Sequence, residues 1–378
     1  MGCAIHYIVM NKFKGWVKFF ADLLAAMFVF ALVVLGWTSD GSGKEVRVTV
    51  LTENGGHLAW HPKEDLIAFD RIESKGYFRP WLMQSDGSKQ RPLEITVAGF
   101  PTKNAGQPAW HPSGDYLAIQ AQQQDSPDWI HTKAAPGAGV LNDLWIISVD
   151  GRRGRKVVAL PSKVDKDAAA ILHPHFSPDG RNLIWSERIS GDAEPFGEWV
   201  IRMADMSFSG NGQPMLSNIR TFTPGRKKSF YETHSFHPDG HCFLFTGQQD
   251  VGLEIYAFDI STGNTTRLTR DPAAWDEHAH FSPDGRKIVW MSSRGLRFTV
   301  KPFDLQTEFW MMNADGSNPE RLTFFHDLAS AHALRRDFAV AADVAWSPNG
   351  RSLIGLVVTA RPETPERDKG LIVRIDLE

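Results

Sequence analysis

Short apolar runs of three to five residues recur along most of the chain and are separated by turns rich in Gly, Pro and Asp. Examples are Leu66–Phe69, Tyr116–Ile119 and Ile288–Trp290, each of which follows a proline-containing turn. Runs of this length bounded by turn residues are typical of strands, because a helix needs about ten or more periodic positions. The pattern therefore predicts an all-β protein, with one exception near the N-terminus.

The exception is Phe19–Trp37, an apolar run of 19 residues whose only charge is Asp22. About 20 apolar residues are enough to cross a bilayer as a helix. Three lysines precede the run, so the positive-inside rule keeps the first residues in the cytoplasm and exports the rest. The sequence predicts a cytoplasmic tip with a signal-anchor helix, a linker and an exported body, at residues 1–38, 39–44 and 45–378.

Two features of this segment stay open. Cleavage would release the body as a secreted protein, whereas an uncleaved helix would anchor it to the inner membrane with the body in the periplasm or another extracytoplasmic space. No small-x-small cleavage site follows the apolar run, which favours the anchor. The chain starts either at Met1 or at Met10, which opens a lysine-containing stretch typical of the start of such segments.

One motif occurs six times in the body: a small or polar residue, an aromatic residue, any residue, and proline, followed in four copies by Asp-Gly or Asn-Gly. The proline fixes φ in the turn, and the glycine supplies the positive φ of a tight hairpin. An apolar strand follows each copy, and second glycine turns such as Asp315-Gly316 separate later strands. The aromatic residues of the six copies are Trp60, Trp110, Phe176, Phe236, Phe281 and Trp346.

Four antiparallel strands per unit, repeated six times, predict a six-bladed β-propeller of four-stranded blades over residues 45–378. The sixth unit reaches the end of the chain after its third strand, whereas a spare strand, residues 46–51, precedes the first unit. We expect this early strand to complete the last blade, because a closed ring leaves no free strand edge.

Charge and cysteine content exclude some functions. Lys and Arg total 41 and Asp and Glu total 44, which gives a net charge of −3. The body therefore lacks a global field that attracts nucleic acid, and we expect no nucleic-acid partner. The only cysteines are Cys3 and Cys242, which rules out a disulfide scaffold and a cysteine-rich zinc module.

Two repeated elements resemble the repeats of TolB-type β-propellers. They are the Phe-Ser-Pro-Asp-Gly-Arg hairpin at 281–286 and the Asp-Gly-Ser turn followed by Arg-Leu-Thr at 315–323. The resemblance covers residues 46–378 and implies the fold and a bacterial origin. It does not imply one function, because this repeat serves binding proteins, lyases and peptidase propellers alike. The Tol–Pal role is not carried over, because TolB itself has an extra N-terminal α/β domain for which we expect no room here.

Candidate binding residues stand at the start of each innermost strand, three positions before the repeated aromatic residue. One position before the aromatic residue, four units use Ala or Ser, but the third and fifth units carry His175 and His280. In the fourth unit, Thr233 stands three positions before the aromatic residue, and His234 follows it. We predict a ligand site at the mouth of the central channel, formed by His57, Gln107, His173, His234, His278 and Asp343.

Side chains two positions apart on a strand share a face, so the third and fifth units each present a pair of imidazoles. Such pairs can hold a divalent transition metal, with Asp343 or Gln107 completing the shell. The predicted metal ligands are His173, His175, His278 and His280.

The histidines are also similar in placement to those of oligogalacturonate lyases, TolB-type propellers that bind manganese through His and Gln at the channel mouth. The resemblance implies a divalent metal, Mn, Zn or Ca. The lyases have seven blades and work in the cytoplasm, and this chain departs from both properties. In another interpretation, the histidines only hydrogen-bond to backbone and water in a polar channel.

Two functions follow from these observations. In the first, a membrane-tethered propeller binds an envelope protein or peptide through its long loops and performs no chemistry. In the second, a metal-dependent lyase or hydrolase acts on an acidic saccharide, with the channel histidines as ligands. We favour the binding function, because the residue spacing assigns no catalytic base and hence no catalytic residue.

Overall fold

Six four-stranded antiparallel sheets surround a common axis in the structure of the chain, which is a computed structural model. The predicted all-β six-bladed propeller is therefore confirmed. No helix among the described residues has the length and apolar character needed to cross a membrane. The predicted span Phe19–Trp37 lies outside the residues that the structure describes, which are 46–192, 196–226, 228–249, 252–297, 299, 304–334, 339–359 and 370–377.

The first strand along the chain, β1 (Arg47–Gly55), is the outer strand of the last blade. The next strands build the blades in chain order, each blade running from the axis outwards. The first three blades are β2 (Leu58–Trp60), β3 (Ile67–Ile72), β4 (Phe78–Met83) and β5 (Arg91–Pro92); β6 (Ala105–Trp110), β7 (Tyr116–Gln122), β8 (Asn142–Ser148) and β9 (Gly154–Val158); and β10 (Ala170–Phe176), β11 (Asn182–Ser190), β12 (Glu198–Phe208) and β13 (Pro214–Phe222).

The remaining three blades follow the same order. A single turn of 3₁₀ helix, Asp128–Ile130, lies in the connection between β7 and β8. The strands are β14 (Tyr231–Phe236), β15 (Cys242–Gln249), β16 (Gly252–Asp259) and β17 (Thr265–Arg267); β18 (Asp276–Phe281), β19 (Lys287–Ser292), β20 (Glu308–Asn313) and β21 (Glu320–Arg321); and β22 (Val340–Trp346), β23 (Ser352–Val358) and β24 (Gly370–Asp376).

The last blade contains strands from both ends of the described chain. Strand β1 pairs antiparallel with β24, from Arg47 opposite Asp376 to Gly55 opposite Gly370. Val46, just before β1, is buried in the apolar cluster that contains Phe309. Pairing with β1 thus covers the outer edge of β24, and β1 contains residues 47–51 of the strand that the sequence predicts to complete the last blade.

The apolar core lies between neighbouring blades. Leu82 of the first blade and Trp145 of the second belong to one buried cluster, and Phe69 and Ile372 join the first blade to the last. Burying one such side chain contributes about 1.5–3 kcal/mol. Adjacent blades are thus held face to face around the ring, and this packing fixes where each innermost strand meets the axis.

The prolines of the repeated motif lie in turns between the first and second strands of each blade. In the first two blades these turns also join neighbouring blades, since His61 Nε2 lies 3.2 Å from the carbonyl oxygen of Gly114, and His111 Nε2 lies 3.3 Å from that of Gly180. Both glycines have positive φ, at 86° and 71°, and a Cβ on either would collide with the histidine ring. These two histidines therefore have a structural role.

The Arg-Leu-Thr element of the repeat also has a structural role. In the fourth blade, Arg267 and Thr269 both donate to the buried carboxylate of Glu254, each at a distance of 2.6 Å. Arg321 and Thr323 hold Glu308 in the same way in the fifth blade. The motif thus supplies the partners of a buried charge that would otherwise be costly.

The two ends of the ring differ in their connections. We call the end that carries the proline turns the turn face. The opposite end carries the longer β7–β8 and β21–β22 connections, and we call it the long-loop face. Each innermost strand runs from the long-loop face to the turn face, so residues at its start lie nearer the long loops.

Candidate ligand site in the central channel

Backbone bulges direct a polar side chain from most blades towards the axis. The pairing of the innermost strand with its neighbour shifts register just beside Gln107, His173, Thr233, His278 and Asp343. Gln107, His173 and His278 have φ values of 51°, 46° and 55°, in the left-handed region that such residues rarely adopt. Conformations of this kind cost on the order of 1 kcal/mol or more each and often occur at functional sites.

The six residues predicted to bind a ligand lie close together. His173 is central: the distances from its ring centroid to those of His278, His234 and His57 are 4.8, 5.8 and 6.1 Å. Its Nε2 lies 2.7 Å from Gln107 Nε2. With Glu232 they form what we call the axial cluster, which consists of His57, Gln107, His173, Glu232, His234, His278 and Asp343.

Asp343 is the charged centre of the axial cluster. Its Oδ1 accepts a hydrogen bond from His278 Nδ1 at 2.8 Å and lies 3.8 Å from His173 Nδ1. Its Oδ2 lies 3.9 Å from His57 Nε2. Burial alone would raise the pKa of Asp343, but the imidazoles of His57 and His278 hold it well below its usual range.

The same carboxylate keeps one imidazole protonated. Burial lowers the pKa of His278, but Asp343 outweighs it and raises the pKa to about 10. His57 responds in the same direction, since Asp343 and Asp70 raise its pKa against the effect of burial. An ion pair between Asp343 and His278 therefore persists at neutral pH.

The other imidazoles in the channel are neutral. Burial is the largest cause that holds the pKa values of His173, His175 and His234 well below the usual range, and neighbouring imidazoles lower them further. For His280, burial lowers the pKa to about 4, and Asp343 offsets only part of this. Neutral imidazoles offer lone pairs, which is the form that binds a metal.

Sequence reasoning missed three carboxyl groups at this site. Glu232 and Glu277 stand one residue before Thr233 and His278, and Asp70 lies in β3 of the first blade. Asp70 Oδ2 accepts from the backbone N–H of Gln107 at 2.9 Å. Asp70 carries a signal, since it is an acidic residue in the largely apolar strand β3, whereas Glu232 and Glu277 lie among other polar residues and carry none.

Burial raises the pKa values of Glu232 and Glu277, that of Glu277 to about 8. His173 Nε2 lies 2.8 Å from Glu232 Oε1 and also accepts from the amide of Gln107. An amide N–H can only donate, so a proton on Glu232 is needed for an attractive contact with the same nitrogen.

Three imidazole nitrogens in this region are buried and have no hydrogen-bond partner within the described part of the chain: His57 Nδ1, His175 Nε2 and His234 Nδ1. Of these, only His57 Nδ1 lies near a carboxylate, at 3.4 Å from Asp70 Oδ2. Thr246 holds the opposite nitrogen of His234 at 2.7 Å. Ligand atoms of His173, His175 and His234 lie within 4.8 Å of one another, as do those of His173, Glu232 and His278. Of the four predicted metal ligands, His280 is in neither group, and its ring centroid lies 5.3 Å from that of His175.

A cavity of about 280 Å³ occupies the channel. It extends from His173 and Asp343, past His175 and His280, to the prolines of the turn face. At the long-loop face, His57 is covered by the β7–β8 connection, where a Cβ on Gly137 would lie 2.6 Å from His57 Nε2. The axial cluster is therefore reached from the turn face.

No family model matches the chain. An uncharacterized protein of Agrobacterium fabrum is 31% identical over 165 residues, which are 43% of this chain and 47% of that protein. The TolB protein of the Tol-Pal system of Anaeromyxobacter dehalogenans is 28% identical over 197 residues, which are 50% of this chain and 40% of that protein. The chain thus spans less than half the length of these curated relatives.

The solved structure of a puromycin-hydrolyzing peptidase of Mycobacterium tuberculosis superposes with a TM-score of 0.50 at 14% identity. The match covers 88% of this chain and 45% of that one and concerns the fold alone. The resemblance to TolB-type repeats is confirmed: this chain is a TolB-like six-bladed propeller.

The low pKa of His280 predicts a loss of stability in acid. The unfolded chain binds a proton near pH 6.5, whereas the native state resists protonation down to about pH 4, so the contribution is lost as the pH falls through this window. We expect wild type to lose about 2 kcal/mol more unfolding free energy between pH 7 and 5 than His280→Gln, measured by urea unfolding. Glu277 acts in the opposite direction in both proteins and cancels in the comparison.

Equal losses in wild type and His280→Gln would show that His280 titrates normally.

Proposed function

We propose that this TolB-like propeller is a binding protein of the bacterial cell envelope, tethered to the membrane by residues 19–37, that docks a protein partner on its long-loop face without performing chemistry. The observation that carries the proposal is the exposure of two large apolar side chains in that face's connections. Trp129 is 68% exposed in the β7–β8 connection, and Leu328 is 78% exposed in the β21–β22 connection. Exposed tryptophans of this kind are frequent energetic centres of protein interfaces.

Two further observations support this proposal. The TolB relative is named as part of the Tol-Pal system, and an envelope location for this chain agrees with its lysine-flanked apolar segment. Gly137 in a connection of the long-loop face also lies against the ring of His57, whereas the channel cavity is lined by prolines of the turn face. A partner on the long-loop face would therefore contact loop side chains rather than the axial cluster.

Photo-crosslinking in bacterial cells tests the docking proposal. A photoreactive amino acid placed at position 129 or 328 of the full-length chain should give the same adduct, identified by mass spectrometry as an envelope protein. Trp129→Ala should reduce the adduct formed from position 328 several-fold, because the tryptophan contributes binding energy.

Ile219 provides the matched control, since it is 53% exposed on β13, at the outer edge of the third blade. A probe at position 219 should give no such adduct. Equal adducts from all three positions, or none from 129 and 328, would contradict docking on the long-loop face.

A second candidate is a metal-dependent lyase or hydrolase acting on an acidic saccharide. The observation that favours it is the pair of unpartnered imidazole nitrogens on His175 and His234, close to the neutral imidazole of His173. The Asp343–His278 hydrogen bond resembles the carboxylate–histidine contacts that orient metal ligands. A bound ion would supply Lewis-acid stabilisation of negative charge, while these residues hold and orient it.

Elemental analysis of the full-length chain, purified without chelators from medium containing Mn, Zn, Fe and Ca, tests this candidate. The metal-dependent function predicts one ion per chain that is lost in His173→Ala and retained in His111→Ala, which changes a turn histidine. A metal content that is the same in both variants would contradict a metal in the axial cluster.

A further inference from the structure

The turn between β14 and β15 differs from its counterparts in the other blades. It reads His-Pro-Asp-Gly-His, from His237 to His241, and is the one copy of the repeated turn with histidine at both ends. The corresponding turns of the third and fifth blades read Ser-Pro-Asp-Gly-Arg, at 177–181 and 282–286. The Pro-Asp-Gly residues that these turns share therefore serve the fold, whereas the two histidines are particular to the β14–β15 turn.

In the Ser-Pro-Asp-Gly-Arg turns, the aspartate is held by two donors. Ser177 Oγ donates to Asp179 Oδ1 at 2.6 Å, and the backbone N–H of Arg181 donates to the same oxygen at 3.0 Å. In the fourth blade, the backbone N–H of His241 donates to Asp239 Oδ1 at 3.0 Å. The backbone of the turn is thus preserved, but imidazoles replace the serine hydroxyl and the arginine side chain.

The three side chains converge on one point. His237 Nδ1 lies 2.8 Å from Asp239 Oδ1, and His241 Nδ1 contacts the same oxygen. The two imidazole centroids are 4.8 Å apart, and one ligand atom from each of the three residues lies within 4.8 Å of the others. The side chains of His237, Asp239 and His241 are 21%, 57% and 52% exposed, so an ion can enter from solvent.

The neighbouring blades show how the ring of His237 is oriented. His61 and His111 occupy the equivalent position, and each places Nε2 against the glycine carbonyl of the next blade while Nδ1 accepts a backbone N–H. His237 Nε2 packs against Gly285 in the same way, since a Cβ there would lie 2.4 Å away, as at Gly114 and Gly180.

His237 Nδ1 faces the Asp239 carboxylate at 2.8 Å, and the side chain of His241 contacts the same oxygen. Burial raises the pKa of Asp239, but hydrogen bonds from His241 and His237 lower it overall. The three side chains thus place two nitrogen ligand atoms and one oxygen around one point, and a bound ion would displace the protons between them.

We propose that His237, Asp239 and His241 form a surface site for a divalent transition-metal ion of the Zn²⁺ or Cu²⁺ class, separate from the axial cluster. Two imidazole nitrogens and a carboxylate favour these ions over Ca²⁺ or Mg²⁺, which prefer oxygen ligands. Cys242, the next residue, is buried in an apolar cluster with Leu244 and Ile288 and is not one of the three ligands. Three protein ligands leave coordination positions open to solvent at the turn face.

The test uses the full-length chain without a polyhistidine tag, titrated with ZnCl₂ by isothermal titration calorimetry. The double variant His237→Ser/His241→Arg reproduces the turn of the third and fifth blades, so the fold already accepts its sequence. We expect wild type to bind one more Zn²⁺ per chain than the double variant, and His241→Asn alone to weaken that site at least about tenfold.

A second variant separates this site from the axial cluster. His173→Ala should retain the Zn²⁺ that the double variant loses, whether or not the channel holds a metal. Equal Zn²⁺ stoichiometry in wild type and the double variant would overturn the proposal, as would loss of that ion in His173→Ala.

Discussion

One buried carboxylate, Asp343, sets the protonation of the channel. Its oxygen accepts from His278 at 2.8 Å and lies within 4 Å of His173 and His57, which come from two other blades. In a site with little water, a single negative charge stabilises one positive charge strongly and cannot support several more. His278 therefore carries a proton, whereas burial leaves His173 neutral, with its Nε2 accepting from the amide of Gln107.

This arrangement requires the ring, because no single blade contains it. The apolar clusters between blades fix the innermost strands, and a bulge in β10 and another in β18 direct His173 and His278 at the axis. The left-handed conformation of both residues costs free energy that the surrounding packing offsets. Residues separated by about a hundred positions in the sequence are thus brought into one hydrogen-bonded group.

Because the blades repeat, some residues of the axial cluster could be predicted from the sequence and others could not. A fixed offset from the aromatic residue identified His173 and Asp343, because every blade has the same geometry. Glu232 was missed because the bulge also brings the preceding residue to the cluster, and a bulge leaves no periodic mark in the sequence. The covering of His57 by Gly137 was unpredictable, since it depends on the path of a long connection.

Histidine-selective NMR of the full-length chain tests the role of Asp343 most directly. The resonance of His278, assigned with His278→Gln, should titrate with a pKa of about 10 in wild type. In Asp343→Asn, the same resonance should titrate below about pH 7, since burial then acts without the opposing charge. A wild-type His278 that titrates near pH 6.5, or one that Asp343→Asn leaves unchanged, would contradict the account.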